Sequence, residues 1–109
     1  MTEQGKKYLS DILQAVELIE SFTVGIKDFD NYLSDLKTQS AVERQPGIIG
    51  EAASHFEKLN TGIKIENTRQ IVGLRNKLIH SYDIIDPSII WAILRNHLTP
   101  LKQEVEVLL

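Results

Sequence analysis

Apolar residues in this chain return every three to four positions, and no segment sustains the strict alternation of a half-buried strand. Tyr8, Ile12, Ala15, Ile19 and Phe22 form one such stripe, and Leu9, Leu13 and Val16 widen it. A stripe with this spacing falls on one side of the backbone only if the backbone is helical; in a strand it would scatter over both faces. The expected fold class is therefore all-α.

Punctuation along the chain divides the helices. The first stripe predicts an amphipathic helix from Gln4 to about Phe22, ended by Thr23-Val24 and Gly25. A short helical segment follows around Phe29–Leu33, with Asp28 as its N-cap. A longer helix is expected from about Leu36 to Leu59, capped by Asp35 or Ser34 and burying Ala41, Val42, Ile48, Ile49, Ala52, Phe56 and Leu59. Pro46 lies inside it and has no N–H for the Val42 carbonyl, so it should kink the helix or split it in two. Asn60-Thr61-Gly62 is a stop signal, and Glu66 or Asn67 can start the next helix, whose buried side is Ile71, Leu74, Leu78 and Ile85. Asp86-Pro87 is an N-cap and first-turn pair for a last helix carrying Ile90, Trp91, Leu94, Leu98, Leu101, Val105 and Leu108, with a kink implied at Pro100. These pieces predict an antiparallel bundle of four main helices plus a short helical segment, a single domain over residues 1–109.

Composition narrows the chemistry. The chain has no Cys, which removes disulfides, thiol nucleophiles and cysteine zinc sites. It contains no apolar run long enough to span a membrane and no signal-peptide core between Met1 and Asp11, so the cytoplasm is the expected compartment and no membrane partner is expected. The net charge of −3 argues against a broad nucleic-acid-binding face. The charge is unevenly placed, however: residues 1–63 carry six Lys/Arg against ten Asp/Glu, whereas residues 64–102 carry six against three. A local basic patch able to hold a short stretch of phosphate backbone is compatible with that distribution; a long groove is not.

The basic surplus surrounds the run Arg75-Asn76-Lys77-Leu78-Ile79-His80-Ser81-Tyr82. Arg-x4-His alone would arise by chance roughly 0.1 times in such a chain, but adding the Asn after the Arg and the Tyr two after the His lowers this to roughly one in ten thousand. On a helical wheel at ~100° per residue Asn76, His80 and Asp83 share a face, while Arg75 and His80 stand ~140° apart. The length of the Arg side chain, the helix end or a second subunit must bring these two onto one phosphate. If they converge, metal-free RNA cleavage needs little more: His80 moves protons to and from the ribose 2′-OH and the leaving oxygen, and Arg75 stabilises the charge that builds on phosphorus. Asn76 could orient His80 or bond a phosphate oxygen. Read without that convergence, Arg75 and His80 are solvated helix residues and the Tyr82 ring closes a helix end.

Arg-Asn-x-x-x-His-x-Tyr resembles the Arg-x4-His-x-Tyr signature of the HepT-like branch of the HEPN superfamily, small all-helical toxins found beside minimal nucleotidyltransferases. The resemblance also covers Tyr8–Leu13, Lys37–Arg44, Ile48-Ile49-Gly50-Glu51-Ala52, Ile71–Leu74, Ile90-Trp91 and Leu94–Asn96. It implies a HEPN-like bundle and an endoribonuclease toxin with Arg75 and His80 catalytic, using no cofactor and no metal. It further implies that the Tyr82 hydroxyl accepts AMP from a partner nucleotidyltransferase, which silences the toxin. Glu51 falls within a segment shared with the family and is a candidate to pair with Arg75 or orient His80; a structural ion pair or a solvated carboxylate is the competing reading. Arg44 and His55 share a helix face with it by spacing, and His55 and His97 read most simply as surface or interfacial residues. A two-fold axis near the motif would double the catalytic pair and the local basic charge, so a homodimer is expected, with a larger assembly once the nucleotidyltransferase binds. The alternative from a different class is a non-catalytic helical module that binds and positions the nucleotidyltransferase, its motif serving as a docking or modification site.

Overall fold

The computed structural model describes residues 1–73 and 86–109. Every regular element among them is helical, and the architecture is the expected all-α, HEPN-like bundle. Five α-helices are complete: α1 (Glu3–Phe22), α2 (Phe29–Ser34), α3 (Leu36–Lys58), α4 (Pro87–Asn96) and α5 (Leu98–Leu108). A 3-10 turn over Glu66–Thr68 leads into further helical backbone over 69–73, where the described part of that element ends.

Three of the helices start where an acidic residue satisfies the free N–H groups of the first turn. Asp28 Oδ1 accepts from the Asn31 N–H at 2.8 Å, Asp35 Oδ1 from Thr38 at 2.9 Å, and Asp86 Oδ1 from Ser88 at 2.9 Å. Thr2 does the same for α1 by accepting from the Gly5 N–H at 3.1 Å. The α1 stripe then buries Leu9, Ile12, Ala15, Val16 and Ile19 against Val42, Ile49, Ala52, Ala53 and Phe56 in the core. Phe22 departs from its expected burial: it lies in the last turn of α1 and is exposed.

α1 packs most extensively on α3, and the two run antiparallel: the Tyr8 ring at the start of α1 stacks on the His55 ring near the end of α3, with centroids 5.4 Å apart. α5 also runs against α1, tied to it by Lys102 Nζ and Glu20 Oε1 at 2.9 Å. α2 closes one side, packing on α3 and α4. Its carbonyl end is held by Gln39 Nε2, which donates to the oxygens of Tyr32 at 2.7 Å and Leu33 at 3.0 Å.

Proline acts differently at positions 46 and 100. Pro46 does not split α3, which is continuous from Leu36 to Lys58. One lost N–H bond at Val42 is outweighed because Pro46 itself and the residues on either side of it along the helix, Val42, Ile49 and Gly50, are all buried. The expected single C-terminal helix is instead two, α4 and α5, and the break falls at His97 rather than at Pro100. The pyrrolidine ring of Pro100 crowds the carbonyl four residues earlier, that of Asn96, so the chain turns where α4 ends. The start of the motif-bearing segment is also later than expected: α-helical backbone begins at 69, after the 3-10 turn.

Candidate active site

Arg75, Asn76, His80, Tyr82 and Asp83 lie outside the described residues, within 74–85. What the structure gives is the frame on either side of them. On the entry side, Ile65, Thr68 and Ile71 are buried, and Thr68 Oγ1 donates to the Ile65 carbonyl at 3.3 Å. On the exit side, Asp86 accepts from both the N–H and the hydroxyl of Ser88, at 2.9 and 2.7 Å. These two bonds hold its carboxyl below the usual carboxylate range.

The entry side has a feature with no counterpart at the other helix starts. Ile65 precedes the 3-10 turn and has no side chain able to cap it. The carboxylate of Glu104, from α5, takes that role across the bundle. Its Oε2 accepts from the Glu66 N–H at 2.7 Å, and its Oε1 accepts from the Asn67 N–H and the Asn67 side-chain amide, both at 3.0 Å. Sequence reading missed Glu104, because a partner 37 residues away leaves no local pattern; the one available signal was the lack of a capping residue at position 65.

A cleft of about 570 Å³ adjoins this clamp, lined by residues that include Phe56, Ile63, Lys64, Ile65, Glu66 and Arg69. Two cations in its wall put part of the basic surplus of residues 64–102 beside the start of the motif-bearing segment.

Glu51 is the one expected site residue within the described part of the chain. It is exposed on α3 and lines a shallow groove of about 280 Å³ with Lys7, Tyr8, Asp11, Ile48, Ala52 and His55. Arg44 and His55 are exposed on the same helix. His55 is engaged with Tyr8, whose hydroxyl accepts from Gln4 Nε2 at 2.8 Å, and Lys7 pairs with Asp11 at 3.0 Å. His97 is half-buried at the junction of α4 and α5.

The family model for HepT-like ribonucleases matches residues 12–108, which includes the whole run from Arg75 to Tyr82. The chain belongs to the HepT-like ribonuclease family. It is 39% identical to "Probable ribonuclease HepT" of Thermococcus cleftensis over 99% of this chain and 98% of that one. It is 35% identical to "Putative RNase MJ1380" of Methanocaldococcus jannaschii, over 94% of each chain. A third relative, "Putative RNase TTE0752" of Caldanaerobacter subterraneus, is 31% identical over 95% of this chain and 93% of its own. No solved structure matches the chain. No helix among the described residues is long and apolar enough to cross a membrane.

Proposed function

We propose that this protein is a metal-independent endoribonuclease, the toxin of a two-component toxin–antitoxin pair, with Arg75 and His80 as its catalytic residues. The observation that carries this reading is the family match over residues 12–108, a span that contains the Arg-Asn-x-x-x-His-x-Tyr sequence. The ribonuclease names of the full-length relatives support it. His80 takes the proton of a ribose 2′-OH, the 2′ oxygen attacks the adjacent phosphorus, and the 5′ oxygen of the next nucleotide leaves with a proton supplied by an imidazolium. The products are a 2′,3′-cyclic phosphate and a free 5′-OH. Arg75 holds the non-bridging oxygens as negative charge builds on phosphorus. Asn76 orients His80 or bonds a phosphate oxygen, and Glu51 is available from α3 to pair with Arg75 or orient His80.

The active species in this proposal is a homodimer, in which two Arg75–His80 pairs face one cleft. The partner is a minimal nucleotidyltransferase antitoxin. The Tyr82 hydroxyl attacks the α-phosphorus of ATP, pyrophosphate leaves, and the AMP group then occupies space and carries charge where RNA phosphate must sit.

The test is cleavage of single-stranded RNA in the presence of EDTA. Wild-type protein should cut, and Arg75→Ala and His80→Ala should each abolish cutting while circular dichroism and melting stay as in the wild type. Cleavage that persists in His80→Ala would remove the acid–base role. A wild-type protein that cuts no RNA, with Tyr82 shown by mass to be unmodified, would favour the docking-module alternative.

A further inference from the structure

We infer that Glu104 is a positioning residue for the catalytic segment, an inference that rests on the ribonuclease reading above. Its carboxylate makes three hydrogen bonds, at 2.7, 3.0 and 3.0 Å, to the backbone and side chain of Glu66 and Asn67. Those two residues open the 3-10 turn from which the chain runs to Arg75, eight residues beyond Asn67. Every other helix start with a side-chain cap uses a residue of its own segment: Thr2, Asp28, Asp35 and Asp86. This start alone among the described ones borrows a charged cap from a distant helix.

The donor helix is built to hold that carboxylate still. Glu104 stands three residues after Leu101 and one before Val105, both fully buried in the core. A carboxylate on a fixed helix, accepting from two consecutive backbone N–H groups, sets both the height and the rotation at which the entering segment begins. Buried Thr68 and Ile71 carry that setting forward as far as 71. Apolar packing alone tolerates sliding; a bidentate carboxylate with fixed oxygen positions does not. Proton transfer and phosphate contact depend on placement to a fraction of an ångström, so loosening the start of the segment should act on turnover before it acts on stability.

The experiment compares wild type with Glu104→Ala, Glu104→Gln and Lys102→Ala in RNA cleavage under EDTA, with melting followed in parallel. In Glu104→Ala, kcat should fall roughly ten- to a hundredfold with KM little changed and the protein still folded at the assay temperature. Glu104→Gln keeps one acceptor oxygen and should recover part of that loss; it also serves as the folded variant if Glu104→Ala does not fold. Lys102→Ala removes the tie between α5 and α1 without touching the clamp, and its kcat should match wild type. A wild-type kcat in Glu104→Ala, or an equal loss in Lys102→Ala, would overturn the inference. If the wild-type protein cuts no RNA, the ribonuclease reading fails and the clamp is read from the His80 imidazole by proton NMR instead. Its titration should shift in Glu104→Ala and not in Lys102→Ala, and an unchanged His80 titration in Glu104→Ala overturns the positioning role.

Discussion

At the scale of single residues, two buried polar atoms among the described residues lack a hydrogen-bond partner, the Tyr32 hydroxyl and Gln45 Oε1. Tyr32 is fully buried, and its hydroxyl has no hydrogen-bond partner among the described residues. Burial, with a smaller contribution from the nearby Glu43 carboxylate, pushes its phenol up to about 12. The ring itself is well used, packed on Trp91 with centroids 5.4 Å apart. Tyr32→Phe should therefore raise stability by about 1 kcal/mol, read from urea unfolding, because it removes a desolvated hydroxyl and keeps the ring. A loss of stability would mean that the hydroxyl is satisfied in solution. The capping aspartates give a second residue-scale prediction. Asp35 is held below the ordinary 3.8 chiefly by the Thr38 N–H, and Asp86 by the hydroxyl and N–H of Ser88. A depressed folded-state pKa gives stability that is present above the unfolded value and is lost as pH falls through the folded one. Unfolding measured from about pH 6 down to about pH 2 should show an acid loss that is smaller in Asp35→Asn/Asp86→Asn than in wild type. An identical acid limb in the two proteins would show that these caps do not carry it.

At the scale of elements, Pro46 is the anomaly. A proline inside a helix costs about 3 kcal/mol relative to alanine. Here, replacing it would also give up roughly 1 kcal/mol of buried apolar volume and somewhat less than 1 kcal/mol of unfolded-state restriction. Pro46→Ala should thus stabilise the protein by about 1 kcal/mol, measured by the urea midpoint at constant slope. A destabilised variant would mean that the pyrrolidine ring packs better than this difference allows. The helices with local start signals were legible in the sequence: Asp28, Asp35 and Asp86 were each readable as caps, and each makes the bond that the reading requires. What was not legible depends on partners distant in sequence. Continuity through Pro46 is decided by burial, the break at His97 by a clash that Pro100 exerts four residues upstream, and the Glu104 clamp by the meeting of α5 with the loop before 69. The site shows the same division. The residues proposed to carry the chemistry were read from a local run, whereas the setting of Glu51 in a groove with Tyr8 and His55 depends on α1 lying against α3. Trp91, whose partners lie on α2 and on its own helix, packs on Phe29 and Tyr32, with the Arg95 guanidinium over its ring.

At the scale of the whole molecule, the helical frame must hold the proposed reaction in place. The proposed control belongs to this scale, since it needs a second protein. Incubation with the cognate nucleotidyltransferase and ATP should add one or more AMP masses to the wild-type chain and lower its activity in step. Tyr82→Phe should keep the ribonuclease activity and escape the modification; a Phe variant that is still modified and silenced places the acceptor elsewhere. The central claim is that His80 and Arg75 drive attack by the RNA's own 2′-OH, and the ends of the product test it most directly. Mass spectrometry of an oligoribonucleotide cut in EDTA should show a 2′,3′-cyclic phosphate and a 5′-OH, with no cut when the nucleotide 5′ to the scissile phosphate carries a 2′-deoxy sugar. A 5′-phosphate end, or cleavage at the deoxy position, would mean that water attacks instead and would contradict the mechanism.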